Sequence, residues 1–134
     1  TRGTGRAHIA RAALEAIAFQ TVDAVRAQEL ASGKPLVGLK ADGGAVSNHW
    51  LMQFQADVLD APVALSEIPE TTALGAAYMA GVGTGIWSLG ALSSMWKASR
   101  VFEPDMDASH REHLLEQWSL AVGKSRGWAL GDVE

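Results

Sequence analysis

No cysteine occurs among the 134 residues, which removes disulfides, thiolate metal ligands and thiol nucleophiles together and points to the reducing cytosol, a cytoplasmic setting. Positive charge is also in short supply, with 11 Lys and Arg against 15 Asp and Glu for a formal net charge of −4. No broad basic field is left to hold a phosphate polymer or an anionic membrane surface, so nucleic acid is set aside as a partner. Long apolar runs are missing. The longest stretch, Thr72 to Leu92, is diluted by Gly75, Gly81, Gly83, Gly85 and Gly90, and it falls short of the roughly 20 strongly apolar residues of a membrane span. The first residue is Thr1 rather than methionine, with no basic region and apolar core behind it. The start therefore reads as a boundary within a longer chain, not as a signal peptide.

What is present is the balance of one globular domain over residues 1–134, with 48% hydrophobic and 19% charged residues. From His8 to Leu30 there is no Gly or Pro, and Ile9, Ala13, Ile17 and then Leu14, Ala18, Val22 and Val25 recur at steps of three and four. That spacing predicts a long helix. Gly33 stops it and Pro35 prevents continuation. Leu36 to Ala41 is short, mostly apolar and bounded by Pro35 and Asp42-Gly43-Gly44, which fits a buried strand. Ser47 is placed to cap a helix carrying Leu51, Phe54 and Val58, which ends near Asp60 because Pro62 disfavours the helical region for Ala61. Val63-Ala64-Leu65 is a second strand, and two strands joined by a helix form a parallel βαβ unit.

Thr71-Thr72 offers an N-cap hydroxyl to a third helix reaching about Val82. Its Ala73, Gly75, Ala76, Ala77, Ala80 and Gly81 leave so little bulk that a close-packing reason is expected, since each interior glycine costs about 1 kcal/mol relative to alanine. Residues 83 to 106 read as an irregular connection with one short helix near Leu89 to Met95. Ser109 and Glu112 have capping-box spacing, and Leu114, Trp118, Val122, Ser125 and Ala129 form one face of a last helix. Two strands make a thin sheet, which again suggests a part of something larger.

Chemistry concentrates in the turn after the first strand, Asp42-Gly43-Gly44-Ala45-Val46-Ser47-Asn48. A glycine pair between a strand and a helix N-terminus lets a ligand reach backbone N–H groups without Cβ obstruction, and the helix dipole adds about half a positive charge there. Asn48 adds a donor and an acceptor. An ordinary tight turn explains the same residues about as well, and the run is neither a Walker loop nor a G-x-G-x-x-G.

Other candidates have plainer readings. His110 and His113 stand three apart on the first turn of a helix without a carboxylate at fitting distance and are read as solvated polar residues, and Asp57, Asp60, Glu67 and Glu70 sit where loops and helix ends need solubility. Trp50, Trp87, Trp96, Trp118 and Trp128 are read as packing in four cases of five, with one left to stack a base. Arg2 and Arg6 are read as surface guanidinium groups. No catalytic residue and no metal ligand is assigned.

The run from Leu39 to Leu59, including Asp42-Gly43-Gly44-Ala45-Val46-Ser47-Asn48 and Met52-Gln53-Phe54-Gln55, followed by Glu70-Thr71-Thr72-Ala73-Leu74-Gly75-Ala76-Ala77, resembles the C-terminal domain of the glycerol kinases, within the FGGY carbohydrate kinases. Thr1-Arg2-Gly3 and the helix from His8 to Thr21 match the same family, closely to Trp87 and loosely beyond. The resemblance implies an α/β fold, the C-terminal part of an actin-like ATPase or RNase H-like domain with few parallel strands flanked by helices. It implies ATP or ADP bound by Gly44 and Asn48, with Gly43 shaping the turn. It also implies ATP-dependent phosphorylation of glycerol to glycerol 3-phosphate, with glycerol, the catalytic base and most of the Mg2+ contacts held by an N-terminal domain before Thr1, and a homo-oligomer in the full-length protein. A kinase for another polyol or sugar, or a non-catalytic nucleotide-binding fragment, stays open. His49 stands where the family usually has a second asparagine, and Thr4-Gly5-Arg6-Ala7 departs from an asparagine-rich loop. No role is given to His49.

Overall fold

The computed structural model describes residues 1–68 and 70–127. Helix α1 spans Arg6–Ser32 and ends on Gly33 at φ 66°, whose N–H donates to the Glu29 carbonyl. Strand β1 is Leu39–Ala41, helix α2 His49–Leu59 and strand β2 Val63–Ser66. Helices α3 (Thr71–Gly83) and α4 (Leu89–Met95) follow, then strand β3 (Ala98–Phe102) and helix α5 (Ala108–Ser125). The order in the sheet is β1-β2-β3, with β1 and β2 parallel and β3 antiparallel to β2. The α/β architecture and the parallel pair around α2 agree with the sequence reading.

Period-two alternation divides the sheet into two faces. The row Leu39, Val63, Phe102 faces α2, and the adjacent row Lys40, Ala64, Val101 faces the other way. Helix α2 forms the middle layer, with the sheet on one side and α1 and α5 on the other. Its Leu51, Met52, Phe54, Ala56 and Val58 are buried together with Val63 and Leu65 from β2 and with Ala18, Phe19 and Val22 from α1. Phe19 meets Phe54 edge-on at 5.5 Å between ring centroids and stacks on Trp118 at 5.4 Å. Gln55 is the buried polar side chain of this core, and its amide donates to the Ala18 carbonyl at 3.2 Å. Among the described residues no helix is long and apolar enough to cross a membrane.

Several expectations are corrected. The first strand is three residues long rather than six, because the Leu36 N–H donates to Glu29 Oε1 and pairing with β2 begins only at Leu39. Asn48, not Ser47, caps α2: its Oδ1 accepts from the Leu51 N–H, while the Ser47 hydroxyl donates to the Gly44 carbonyl. Thr71 and Thr72 lie inside α3, whose N-cap is Glu70 without a side-chain bond. Of the α3 glycines, only Gly81 has a close-packing reason within the described residues. A Cβ there would lie 2.2 Å from the Trp87 ring, whereas one at Gly75 would meet nothing within 4 Å. The irregular connection contains a third strand, β3, so the sheet is mixed and not parallel throughout. In α1 the stripe Ala18, Phe19, Val22, Val25 is buried, while Ile9 and Ile17 remain exposed.

The expected capping box of α5 is replaced by Asp107, whose carboxylate accepts from the Ser109 and His110 N–H groups and from the Ser109 hydroxyl. Ala129 and Trp128 lie outside the described residues. The Asp107 carboxyl lies below its ordinary value of 3.8, held down first by the Ser109 hydroxyl and then by the two N–H groups. A carboxyl with a lowered folded-state pKa stabilises the fold above its unfolded value and loses that contribution as pH falls through the folded one. The α5 amides that this carboxylate holds, Ser109 and His110, should therefore lose protection in hydrogen exchange as pH falls below 3.8 through the lowered folded-state value. Asp107→Ala should show the same loss at neutral pH and no further acid dependence.

Candidate nucleotide site

Strand β1 delivers Asp42-Gly43-Gly44 to the carboxyl edge of the sheet, where open α/β sheets place their ligand crevices. Gly43 has φ 87° and ψ −176°, a conformation that side chains with a Cβ rarely adopt. Residues Gly44–Ser47 then make one 3-10 turn, closed by Val46 N–H to the Gly43 carbonyl at 3.3 Å and Asn48 N–H to the Ala45 carbonyl at 3.1 Å. The N–H groups of Gly43 and Gly44 find no acceptor among the described residues. A Cβ built on either glycine would meet nothing within 4 Å. Two unbonded amides on exposed glycines thus stand at the start of the 3-10 turn that leads into α2.

Asn48 is half-buried at the start of α2. Its Oδ1 is committed to the Leu51 N–H at 3.1 Å, which leaves its Nδ2 donors for a ligand. The structure brings the three residues singled out in the sequence, Gly43, Gly44 and Asn48, into one turn at the mouth of the sheet. His49, directly after them, is turned toward β3, with Nδ1 3.2 Å from Arg100 Nη1 and its ring tilted on Phe102 at 5.7 Å.

A cleft of about 160 Å³ opens beside the turn, lined by Lys40, Ala41, Asp42, Ser66, Thr71 and Trp96. Trp96 had no distinguishing signal in the sequence, since its placement depends on β3. Larger concavities lie elsewhere, including a groove of about 470 Å³ between α1 and α5. There the Trp118 indole N–H already donates to Asp23 at 2.8 Å. The remaining described tryptophans pack: Trp50 stacks on Phe54 at 5.2 Å beneath the Arg11 guanidinium, and Trp87 meets Tyr78 edge-on. Among the described residues no group of three or more His, Asp and Glu side chains is placed to hold a metal ion. His110 and Asp57 line a groove with Arg11 and Trp50, separate from the cleft beside the glycine turn.

Residues 1–84 match the C-terminal domain of the FGGY family of carbohydrate kinases. A glycerol kinase of Aromatoleum aromaticum is 56% identical over 129 residues, covering 96% of this chain and 26% of the relative. A glycerol kinase of Symbiobacterium thermophilum is 55% identical with the same coverage. The crystal structure of Plasmodium falciparum glycerol kinase with ADP superposes with a TM-score of 0.82 at 36% identity, over 94% of this chain and 26% of that one. A ligand-bound xylulose kinase from Lactobacillus acidophilus shares the fold at a TM-score of 0.80 and 22% identity, over 98% of this chain and 27% of that one. The chain thus spans about a quarter of the length of these relatives, and it belongs to the FGGY family of carbohydrate kinases.

Proposed function

We propose that these residues are the C-terminal, nucleotide-binding part of an ATP-dependent glycerol kinase, which transfers the γ-phosphoryl group of ATP to a terminal hydroxyl of glycerol. The observation that carries this reading is the pair of unbonded amides at Gly43 and Gly44, followed by the Nδ2 group of Asn48 at a helix N-terminus. Amides in that position complement the oxygens of a nucleotide and need no side-chain movement to do so. Identity above 50% with glycerol kinases from two bacteria supports glycerol over other polyols. In this reading the chain forms one jaw of an interdomain cleft. The base, the glycerol contacts and most contacts to Mg2+ come from an N-terminal domain, and phosphoryl transfer then rests on positioning and charge stabilisation. Cytoplasmic location and homo-oligomeric assembly of the whole enzyme belong to the same proposal.

The test is a phosphorylation assay with ATP on the full-length protein, using glycerol, xylulose and gluconate as acceptors. Glycerol should be the preferred acceptor, and the 134-residue piece should show no turnover. Preference for xylulose or gluconate would overturn the substrate assignment. Turnover by the isolated piece would overturn the placement of the base in another domain.

A further inference from the structure

We propose that Arg100 is a positioning residue for the nucleotide, acting through His49 on the Asn48 carboxamide; this rests on the reading of the Gly43-Gly44 turn given above. Opposite two consecutive residues of β2, strand β3 places three, because Leu65 pairs with Arg100 while Ser66 pairs with Ala98. Ser99 is the extra residue, and its hydroxyl donates to the Ser66 carbonyl at 3.2 Å. A bulge of this kind re-aims a neighbouring side chain. Arg100 stands two residues before Phe102 and so shares the sheet face turned toward α2. Its guanidinium carbon lies 4.8 Å from the centroid of the Phe102 ring, and Nη1 reaches His49 Nδ1 at 3.2 Å. A guanidinium only donates, so Nδ1 accepts and the ring proton is left on Nε2. The imidazole tilts on the same Phe102 ring at 5.7 Å. Among the described residues the ion pairs are Arg11–Glu15 and Arg111–Asp60, so no carboxylate competes for Arg100.

His49 is the first residue of α2 and directly follows Asn48. Asn48 is itself non-helical, at φ −83° and ψ 88°, so where its carboxamide points depends on how the first residue of α2 is held. Its Oδ1 is bonded to the Leu51 N–H, which rides on the same helix, so the cap alone lets carboxamide and helix start move together. Arg100 supplies the missing reference. It ties the helix start to β3, in the same sheet whose β1 delivers the glycine pair, and the two parts of the site then share one frame. Further along α2, Gln53 Nε2 donates to the Glu103 carbonyl at 2.8 Å and Asp57 Oδ1 accepts from the Asp105 N–H at 2.9 Å. Residues His49, Gln53 and Asp57 lie on one face of the helix. The later two ties hold α2 in place without Arg100, which confines the effect of its removal to the first turn.

Calorimetric titration of the full-length protein with ADP, paired with a thermal melt of each variant, tests this. Arg100→Ala and His49→Ala should each weaken ADP by about three- to tenfold, the effect of one lost hydrogen bond. Combining them should weaken it no further, since the two side chains act as a unit. His49→Asn should recover most of the loss, because the carboxamide oxygen offers an acceptor in place of Nδ1. In an Asn48→Ser background, which keeps a helix cap and removes the carboxamide, Arg100→Ala should change ADP affinity by less than about twofold. Unchanged ADP affinity in Arg100→Ala would overturn the proposal, and so would a loss that adds in full to that of Asn48→Ser, because Arg100 would then act independently of Asn48. Failure of the unaltered protein to bind ADP, or an Asn48→Ser variant that binds it as well as before, would instead sink the reading of the glycine turn on which the proposal rests.

Discussion

Gly43→Val should reduce ADP affinity of the full-length protein by at least about 100-fold, the largest effect expected of any single change at the site. Two causes add. A β-branched residue held at φ 87° is strained by about 1–3 kcal/mol, and relief of that strain would swing the turn out of its ligand-ready shape. Its side chain would also occupy the open space through which a nucleotide reaches the amides. Gly44→Ala separates the causes, since Gly44 has no positive φ and an added Cβ meets nothing within 4 Å. That variant should fold normally and lose affinity only through crowding of the ligand. Asn48→Asp completes the set. A carboxylate caps a helix at least as well as a carboxamide, so α2 should keep its stability while the Nδ2 donor is lost and a negative charge faces the phosphates. Calorimetry with ADP, paired with thermal melts of each variant, distinguishes a lost ligand contact from a lost fold.

Phe54→Ala should destabilise the three-layer core by about 3–5 kcal/mol, the range for truncating a buried aromatic. Phe54 is 5% exposed. It also joins two elements, because its ring meets Phe19 of α1 edge-on and stacks on Trp50 at 5.2 Å. Cutting it leaves a void between α1 and α2 that neither ring can refill, since the Trp118 ring already holds the other side of Phe19. By contrast Leu120→Ala, at a side chain 58% exposed on α5, should change stability by no more than about 0.5 kcal/mol. Amide exchange along α2 reads the difference, with protection lost throughout the helix for Phe54→Ala and retained for Leu120→Ala.

The parts of the fold legible in the sequence are those where a local rule and the tertiary context agree. Helix α1 is long, free of Gly and Pro, and stopped by a glycine in the left-handed conformation. Helix α4 lies between the same residues, Leu89 and Met95, that its pattern predicts. The parallel pair β1 and β2 follows from two apolar runs on either side of an amphipathic helix. Strand β3 was not legible, because Ala98 to Val101 are all exposed and only Phe102 is buried, so no apolar alternation marks it. Pairing with β2 creates that strand, and a register irregularity opposite Leu65 and Ser66 blurs it further. The caps went to neighbours for a shared reason: several polar residues stand together before α2 and α5, and the backbone angle at each decides which side chain turns back. Asn48 was chosen over Ser47, and Asp107 over Ser109.

The glycine turn of the candidate site was readable because positive φ and bare amides are written as glycines. Lys40 and Trp96 were not, since they meet only through strand pairing across residues far apart in sequence. Helix α3 is apolar along its length, yet only Gly81 in it is buried within the described residues.

The central claim, that main-chain amides of Gly43 and Gly44 and the Asn48 carboxamide hold an adenine nucleotide, is tested most directly by the crystal structure of the full-length protein with ADP. The account predicts ADP at the carboxyl edge of β1, with at least one of those two amides and Asn48 Nδ2 within about 2.7–3.2 Å of its acceptor atoms. ADP bound at full occupancy elsewhere, with the glycine turn facing solvent, would contradict it.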